Sequence, residues 1–213
     1  AYDSVRTVDS NLINFSPWQE RWDANSGFVQ MQPYLQYKYL FSDRLTATLG
    51  VSALYSSINN NSFSPLEPRL GLTYELPKQQ KLSFAAGLHS QMQSPYLYFY
   101  NPQLGQGIQR PYNLGMGLMK SLHLVSGYQR MLGKDLRLLT EIYFQHLYDI
   151  PVEVQPSSFS MVNAGAGFSR LFPRALQNTG LGRNYGLEVT LEKFFSKHYY
   201  FLVTTSLFDA KYQ

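Results

Sequence analysis

Cysteine is absent from this chain, which excludes disulfides, thiolate metal sites and cysteine nucleophiles. Long apolar runs are absent too: nothing approaches the ~18 consecutive apolar residues of a membrane helix. The opening residues, AYDSVRTVDS, have no apolar core and are not a signal peptide. A mature exported protein would have lost its signal, so this excludes nothing. The net charge is only +4, too weak a basic excess to argue for nucleic acid. No G-x-S-x-G or phosphate-loop pattern occurs, and Gly165-Ala166-Gly167 matches only the start of a dinucleotide loop. The histidines, His89, His123, His146 and His198, show no pair at a metal-ligand spacing such as H-x-x-x-H. No cofactor is expected.

Alternation is what the chain has in quantity. Leu45, Ala47, Leu49, Val51 and Ala53 alternate with Thr46, Thr48, Gly50 and Ser52. Tyr185, Leu187, Val189 and Leu191 alternate with Asn184, Gly186, Glu188, Thr190 and Glu192. Side chains of a strand point to opposite faces in turn, so each segment has one apolar and one wet face. A mean hydropathy of −0.26 conceals such strands, because the wet face offsets the apolar one.

About eight strands follow from this pattern. They lie near 28–40, at 45–56, 66–75, 81–89, 121–131 and 137–145, and in a hairpin at 183–212 around FSKH. In 121–131 Leu122, Leu124 and Tyr128 share a face, and Val125 breaks the alternation. Asp149-Ile150-Pro151 is expected to end a strand, because proline removes a ladder donor. The connections alternate in length. Short turns fall at 42–44, 77–80, 132–135 and 194–198; long loops fall at about 92–120 and 149–182. Aromatics gather beside the turns: Tyr37, Tyr39 and Phe41 at the first, Phe194, Phe195, Tyr199, Tyr200 and Phe201 at the last. The chain has 17 Tyr and 14 Phe, and the clustering reads as an interfacial girdle.

These features predict an all-β fold, an antiparallel transmembrane β-barrel with short periplasmic turns and long extracellular loops. Segments of 10 to 13 residues match a tilted membrane crossing better than a typical globular strand. The wet face carries Lys38, Glu67, Arg69, Glu75, Lys81, Arg137, Glu141, Glu188 and Glu192. Residues 1–213 are expected to form part of one barrel domain, with 1–27 a loop or the end of a preceding strand.

Several stretches resemble TonB-dependent outer-membrane receptors, particularly those with a carboxypeptidase-like regulatory domain ahead of the plug. They are LEPRLGLTYEL at 66–76, SLHLVSGYQRML at 121–132, EIYFQHLYDIPVE at 141–153 and NTGLGRNYGLEVTLEK at 178–193, running into YYFLVTTSLFDAKYQ. The resemblance covers about 66–213. It implies import of a small nutrient (siderophore, oligosaccharide or peptide) across a Gram-negative outer membrane. Energy would come from the TonB complex acting through a plug. It also implies contact with outer-membrane lipid and the possibility of a surface lipoprotein partner. In such receptors the face bearing Glu67, Arg69 and Glu188 looks into the lumen, so these three are expected in a lumen polar network. The family has about 22 strands and a plug. Eight strands and no plug-like stretch fit a barrel fragment, although eight strands can also close a small barrel.

The segment SPYLYFYNPQLGQGIQRPYN at 94–113 is the candidate ligand-contact loop, through Tyr96, Tyr98, Tyr100 and Arg110, since aromatics with arginine are binding residue types. The opposing reading is that these rings fold the loop onto the barrel mouth. The loop at 18–27, with Trp18 and Trp22, has the same two readings. Two other functions stay open: a passive or adhesive small barrel, and an outer-membrane hydrolase using Ser121 with His123 or Asp149 near His146.

Overall fold

The computed structural model describes residues 22, 24–101, 111–164 and 171–213, with the backbone of 2–3, 6–9, 12–15 and 19–20. Four short strands come first: β1 (Tyr2–Asp3), β2 (Arg6–Asp9), β3 (Leu12–Phe15) and β4 (Gln19–Glu20). β2 pairs with β3, and β1 with β4, as a nested antiparallel ladder. Arg110, Trp18 and Gly165-Ala166-Gly167 fall outside the described residues.

The wall follows. β5 (Gln30–Met31) and β6 (Tyr34–Leu40) both pair with β7 (Leu45–Ser56), and Pro33, which has no N–H to donate, lies in the gap between them. Then come β8 (Phe63–Leu76), β9 (Gln80–Gln91), β10 (Met119–Met131), β11 (Leu136–Glu153), β12 (Leu176–Ser196) and β13 (Tyr199–Tyr212). Each is antiparallel to its chain neighbour, an up-and-down meander in sequence order. Among the described residues, β6 and β13 are paired on one side only. No helix among them is long and apolar enough to cross a membrane. That says nothing about crossing by strands.

One register holds the wall together. Leu49 lies opposite Leu70 and Tyr37; Leu70 opposite Ala86; Ala86 opposite Leu124; Leu124 opposite Phe144; Phe144 opposite Tyr185. A slip of one residue between any two strands would turn one strand's apolar side chains to the wet face. The apolar face has no second layer on it among the described residues. Leu49 stays 52% exposed, Ile142 57% and Leu207 67%. A soluble sandwich would have buried them.

Two features of the strands differ from expectation. β11 does not stop at Pro151. Asp149 adopts a left-handed φ of 55° and the register shifts twice, between Leu147 and Ile150 and between Ile150 and Pro151. A bulge thus absorbs the proline, and pairing resumes to Glu153 opposite Leu176. The long loop contracts accordingly to 154–175. Val125 does not break β10 either. It sits in frame on the wet face, opposite Ala85 and Tyr143. β13 carries Leu202 and Phe208 on the wet side of its edge, where they remain exposed.

The turn side is rich in aromatics. Tyr39 packs edge-on against Phe41 with ring centroids 4.7 Å apart, and Phe195 faces Tyr200 at 6.5 Å. The Lys193 ammonium lies 4.5 Å from the Tyr199 ring centre. Tyr200 is 74% exposed. Between β12 and β13 the two-residue loop Lys197-His198 has φ of 50° and 68°, the mirror-image turn that suits the right-handed twist of a hairpin.

Candidate functional site

The wet face gathers its polar groups into a ladder that crosses six strands. On β7 and β8, Ser52 Oγ donates to Glu67 Oε2 at 3.0 Å, and Arg69 Nη2 donates to Ser52 Oγ at 3.2 Å. Glu67 is 1% exposed, and its Oε1 has no hydrogen-bond partner among the described residues. On β9 and β10, the rings of His89 and His123 face each other with centroids 4.9 Å apart. On β11 and β12, Gln145 Nε2 lies 3.4 Å from His123 Nδ1, and Asn184 Nδ2 donates to Gln145 Oε1 at 3.3 Å.

The backbone explains why these groups meet. Gly87 lies opposite both Arg69 and His123. A Cβ at Gly87 would come within 3.0 Å of His89 Nε2 and 3.4 Å of Arg69 Cγ. The missing side chain leaves a hollow in the wall, and the His89 ring leans into it towards His123. Tyr143 uses the same device at Gly186, where its hydroxyl lies 2.7 Å from the position of a Cβ.

The three residues expected in a lumen network are not one cluster. Glu67 and Arg69 meet through Ser52. Glu188 stands four strands away, opposite Glu141, and accepts a hydrogen bond from Ser206 Oγ at 3.2 Å. The central pair carries no signal in the sequence. His89 and His123 are 34 residues apart, and a spacing search of one segment cannot see a diagonal contact between strands.

Above the wall, the described loops fold into a cap. Leu97, Tyr98, Met116 and Leu176 form its core, with Ile58, Met92, Phe159 and Met161 packed around them. Tyr98 is 0% and Tyr100 4% exposed, so these two rings pack the loop. Tyr96 is half-buried: its hydroxyl accepts from the Leu171 N–H at 3.1 Å and its carbonyl from the Trp22 indole at 2.8 Å. Trp22 lies 5.4 Å from Tyr100 and 5.7 Å from Phe172, ring centre to ring centre. Asparagines clamp the segment that leads back to β10. Asn59 Nδ2 donates to the carbonyls of Leu114 and Met116, Asn61 Nδ2 to that of Gly115, and Asn178 Oδ1 accepts from the Gly117 N–H, each at 2.8 Å. The Asn59-Asn60-Asn61 run was the available signal for this clamp.

The hydrolase pairs do not assemble. Ser121 Oγ is buried with no hydrogen-bond partner among the described residues, and Asp149 Oδ2 accepts from Lys120 Nζ at 2.9 Å, not from His146. His146 instead lies against Tyr148, with ring centroids 5.9 Å apart. No group of three metal-ligating side chains occurs among the described residues.

No protein-family model and no curated protein matches this chain. Solved structures do. The FrpB iron transporter from Neisseria meningitidis (F3-3 variant) superposes with a TM-score of 0.56 at 13% identity, over 87% of this chain and 26% of that one. The copper transporter OprC superposes with a TM-score of 0.58 at 12% identity, over 99% of this chain and 33% of that one. The chain therefore spans about a third or less of the length of either. At such identities the likeness speaks for fold alone, and the fold is that of an antiparallel outer-membrane β-barrel wall.

Proposed function

We propose that this chain is part of the barrel wall of a TonB-dependent receptor in a Gram-negative outer membrane, serving energised uptake of a small nutrient. One observation carries the reading. A single-layered meander leaves a continuous apolar face open on one side and a ladder of charged and amide groups on the other. In water the open apolar face would be an aggregation surface. Against lipid it is the stabilising face, and the ladder borders an aqueous interior.

The wider assignment has further support. The one-sided pairing of β6 and β13 suits a wall continued by other strands, since unpaired ladder groups are costly in hydrocarbon. The superposable structures bear the names of an iron and a copper transporter. The sequence phrases at 66–76, 121–132, 141–153 and 178–193 support the receptor type with a carboxypeptidase-like regulatory domain. On this reading the partners are outer-membrane lipid, TonB through a plug outside this chain, a small nutrient of siderophore, oligosaccharide or peptide class, and a surface lipoprotein. The chain contributes wall and cap, and no chemical step.

Single-cysteine labelling tests the reading, because these 213 residues hold no native thiol. Thr48→Cys, on the wet face, should react with a water-soluble maleimide in outer-membrane preparations, and Leu49→Cys should be protected. Equal reactivity at both would end the reading. Growth of a deletion strain on single nutrient sources would then identify the class of cargo.

A further inference from the structure

We infer that His89 and His123 form a two-imidazole contact for a transition-metal ion, presented by the wall to passing cargo as either the bare ion or a complex with open coordination positions. The inference rests on the proposal that the wet face borders the lumen, and it goes further by naming the chemistry recognised there.

The geometry points to this. Two imidazoles on one ion have Nε2–metal distances of about 2.0–2.1 Å. With ring centroids 4.9 Å apart, rings that turn both Nε2 atoms to one ion would subtend roughly 100° there, between the square-planar and tetrahedral angles. The rings are tilted by 58° to each other and are not stacked. The Gly87 hollow lets His89 reach across the strand, with its Nε2 directly above the glycine. His123 has Nδ1 turned towards Gln145 on β11, so its Nε2 lies on the far edge of the ring. Gln145 is in turn held by Asn184. Ligation through Nε2 leaves the ring proton on Nδ1, so the Gln145 amide must then turn its oxygen to Nδ1, and Asn184 its own amide with it. An acceptor so placed fixes ring orientation, as outer partners do at metal sites. Beside the rings, the buried Glu67 supplies negative charge and an oxygen with no described partner, while Arg69, tied to Ser52, sets the opposing charge.

The number of ligands matters. No three ligating side chains converge among the described residues. A structural site would close its coordination shell; two ligands leave the other positions open to water or to donor atoms of the cargo. That suits transit, where an ion must be held and then released.

Copper(II) is the probe, because it heads the divalent affinity order for nitrogen sites. The untagged full-length protein, purified from outer membranes in detergent, is titrated with Cu(II) and read by electron paramagnetic resonance. The expected spectrum shows coupling to two imidazole nitrogens at one equivalent. His89→Ala and His123→Ala each leave one coupling. Gly87→Ala keeps both rings but displaces His89, and should weaken Cu(II) binding ~10-fold or more. An unchanged nitrogen count in both histidine variants would overturn the inference, as would unchanged affinity in Gly87→Ala. Variants whose gel migration shows misfolding are replaced by His89→Gln and His123→Gln, which keep a polar side chain. Cysteine labelling at Thr48 and Leu49 separates this failure from failure of the lumen reading. If Thr48→Cys labels and copper does not find the pair, the metal contact alone is refuted.

Discussion

Ala85 and Ala86 are adjacent, chemically identical and at the same depth in β9. Ala85 lies opposite Gly71 and Val125 on the wet face, Ala86 opposite Leu70 and Leu124 on the apolar face. β9 begins at Gln80. Six residues at a rise of ~3.3 Å and a tilt of ~45° place both alanines about 14 Å above the turn. That is near the middle of an apolar band ~25 Å tall. Arginine at Ala86 would put a guanidinium among lipid tails at the midplane, where the penalty is about 2–4 kcal/mol. Every 1.4 kcal/mol is tenfold, so the folded-to-unfolded ratio should fall by roughly 30- to 700-fold. Arginine at Ala85 would extend into water beside a glycine and should change stability by no more than ~0.5 kcal/mol. Denaturant titration of the full-length protein in phospholipid vesicles measures both. Equal penalties, or a larger one at Ala85, would refute the assignment of faces.

Four more outcomes are expected. Tyr98→Ala removes the most deeply buried ring of the cap and should cost about 3–5 kcal/mol locally, seen as proteolysis within 92–118 while the wall stays heat-modifiable on a gel. Gly186→Ala would bring a Cβ to 2.7 Å from the Leu207 carbonyl oxygen and 2.8 Å from Tyr143 Cζ, so it should destabilise by about 1–3 kcal/mol, read as a lower denaturant midpoint. Replacing Lys197-His198 by Asn-Gly suits the left-handed φ values there and should stabilise the hairpin by about 1 kcal/mol or more; a lower midpoint would contradict the mirror-image turn. The last outcome concerns acid. Burial alone would raise the Glu153 carboxyl, but the Arg174 N–H at 2.8 Å, the Ser157 hydroxyl and the Arg174 charge outweigh it and hold Glu153 below the usual glutamate range. A carboxyl lowered by folding stabilises fully above its unfolded pKa and loses that contribution as pH falls through the folded value. A fluorophore on Ser158→Cys should therefore report loss of the Glu153–Arg174 contact on acidification through that range, and Glu153→Gln should remove the transition.

The wall was legible in the sequence because membrane strands must alternate and because a slip by one residue is forbidden. The alternation delimits 45–56 to the residue, and the turns lie at the short connections. Local departures were less legible. Pro151 reads as a stop, and only a bulge at Asp149, with Gly180 facing Ile150, lets β11 continue. Val125 reads as a break because an apolar residue on the wet face leaves the same trace as a change of frame. Tyr96, Tyr98 and Tyr100 showed an aromatic loop, but burial depends on which distant segment packs over it. Here the packing partners are Trp22, Met116 and Leu176, none of them near in sequence. The His89–His123 contact depends on a glycine hollow and a diagonal between strands, and neither has a local signature.

β12 has 21 residues, about twice the ~9–11 that cross the hydrocarbon. At ~2.3 Å of height per tilted residue, its surplus raises the cap about 20 Å or more clear of the lipid. The two storeys thus live in different media. Bilayer thickness and acyl composition act on Leu70, Ala86 and Leu187, whereas salt and acid in the adjoining water act on the platform around Trp22.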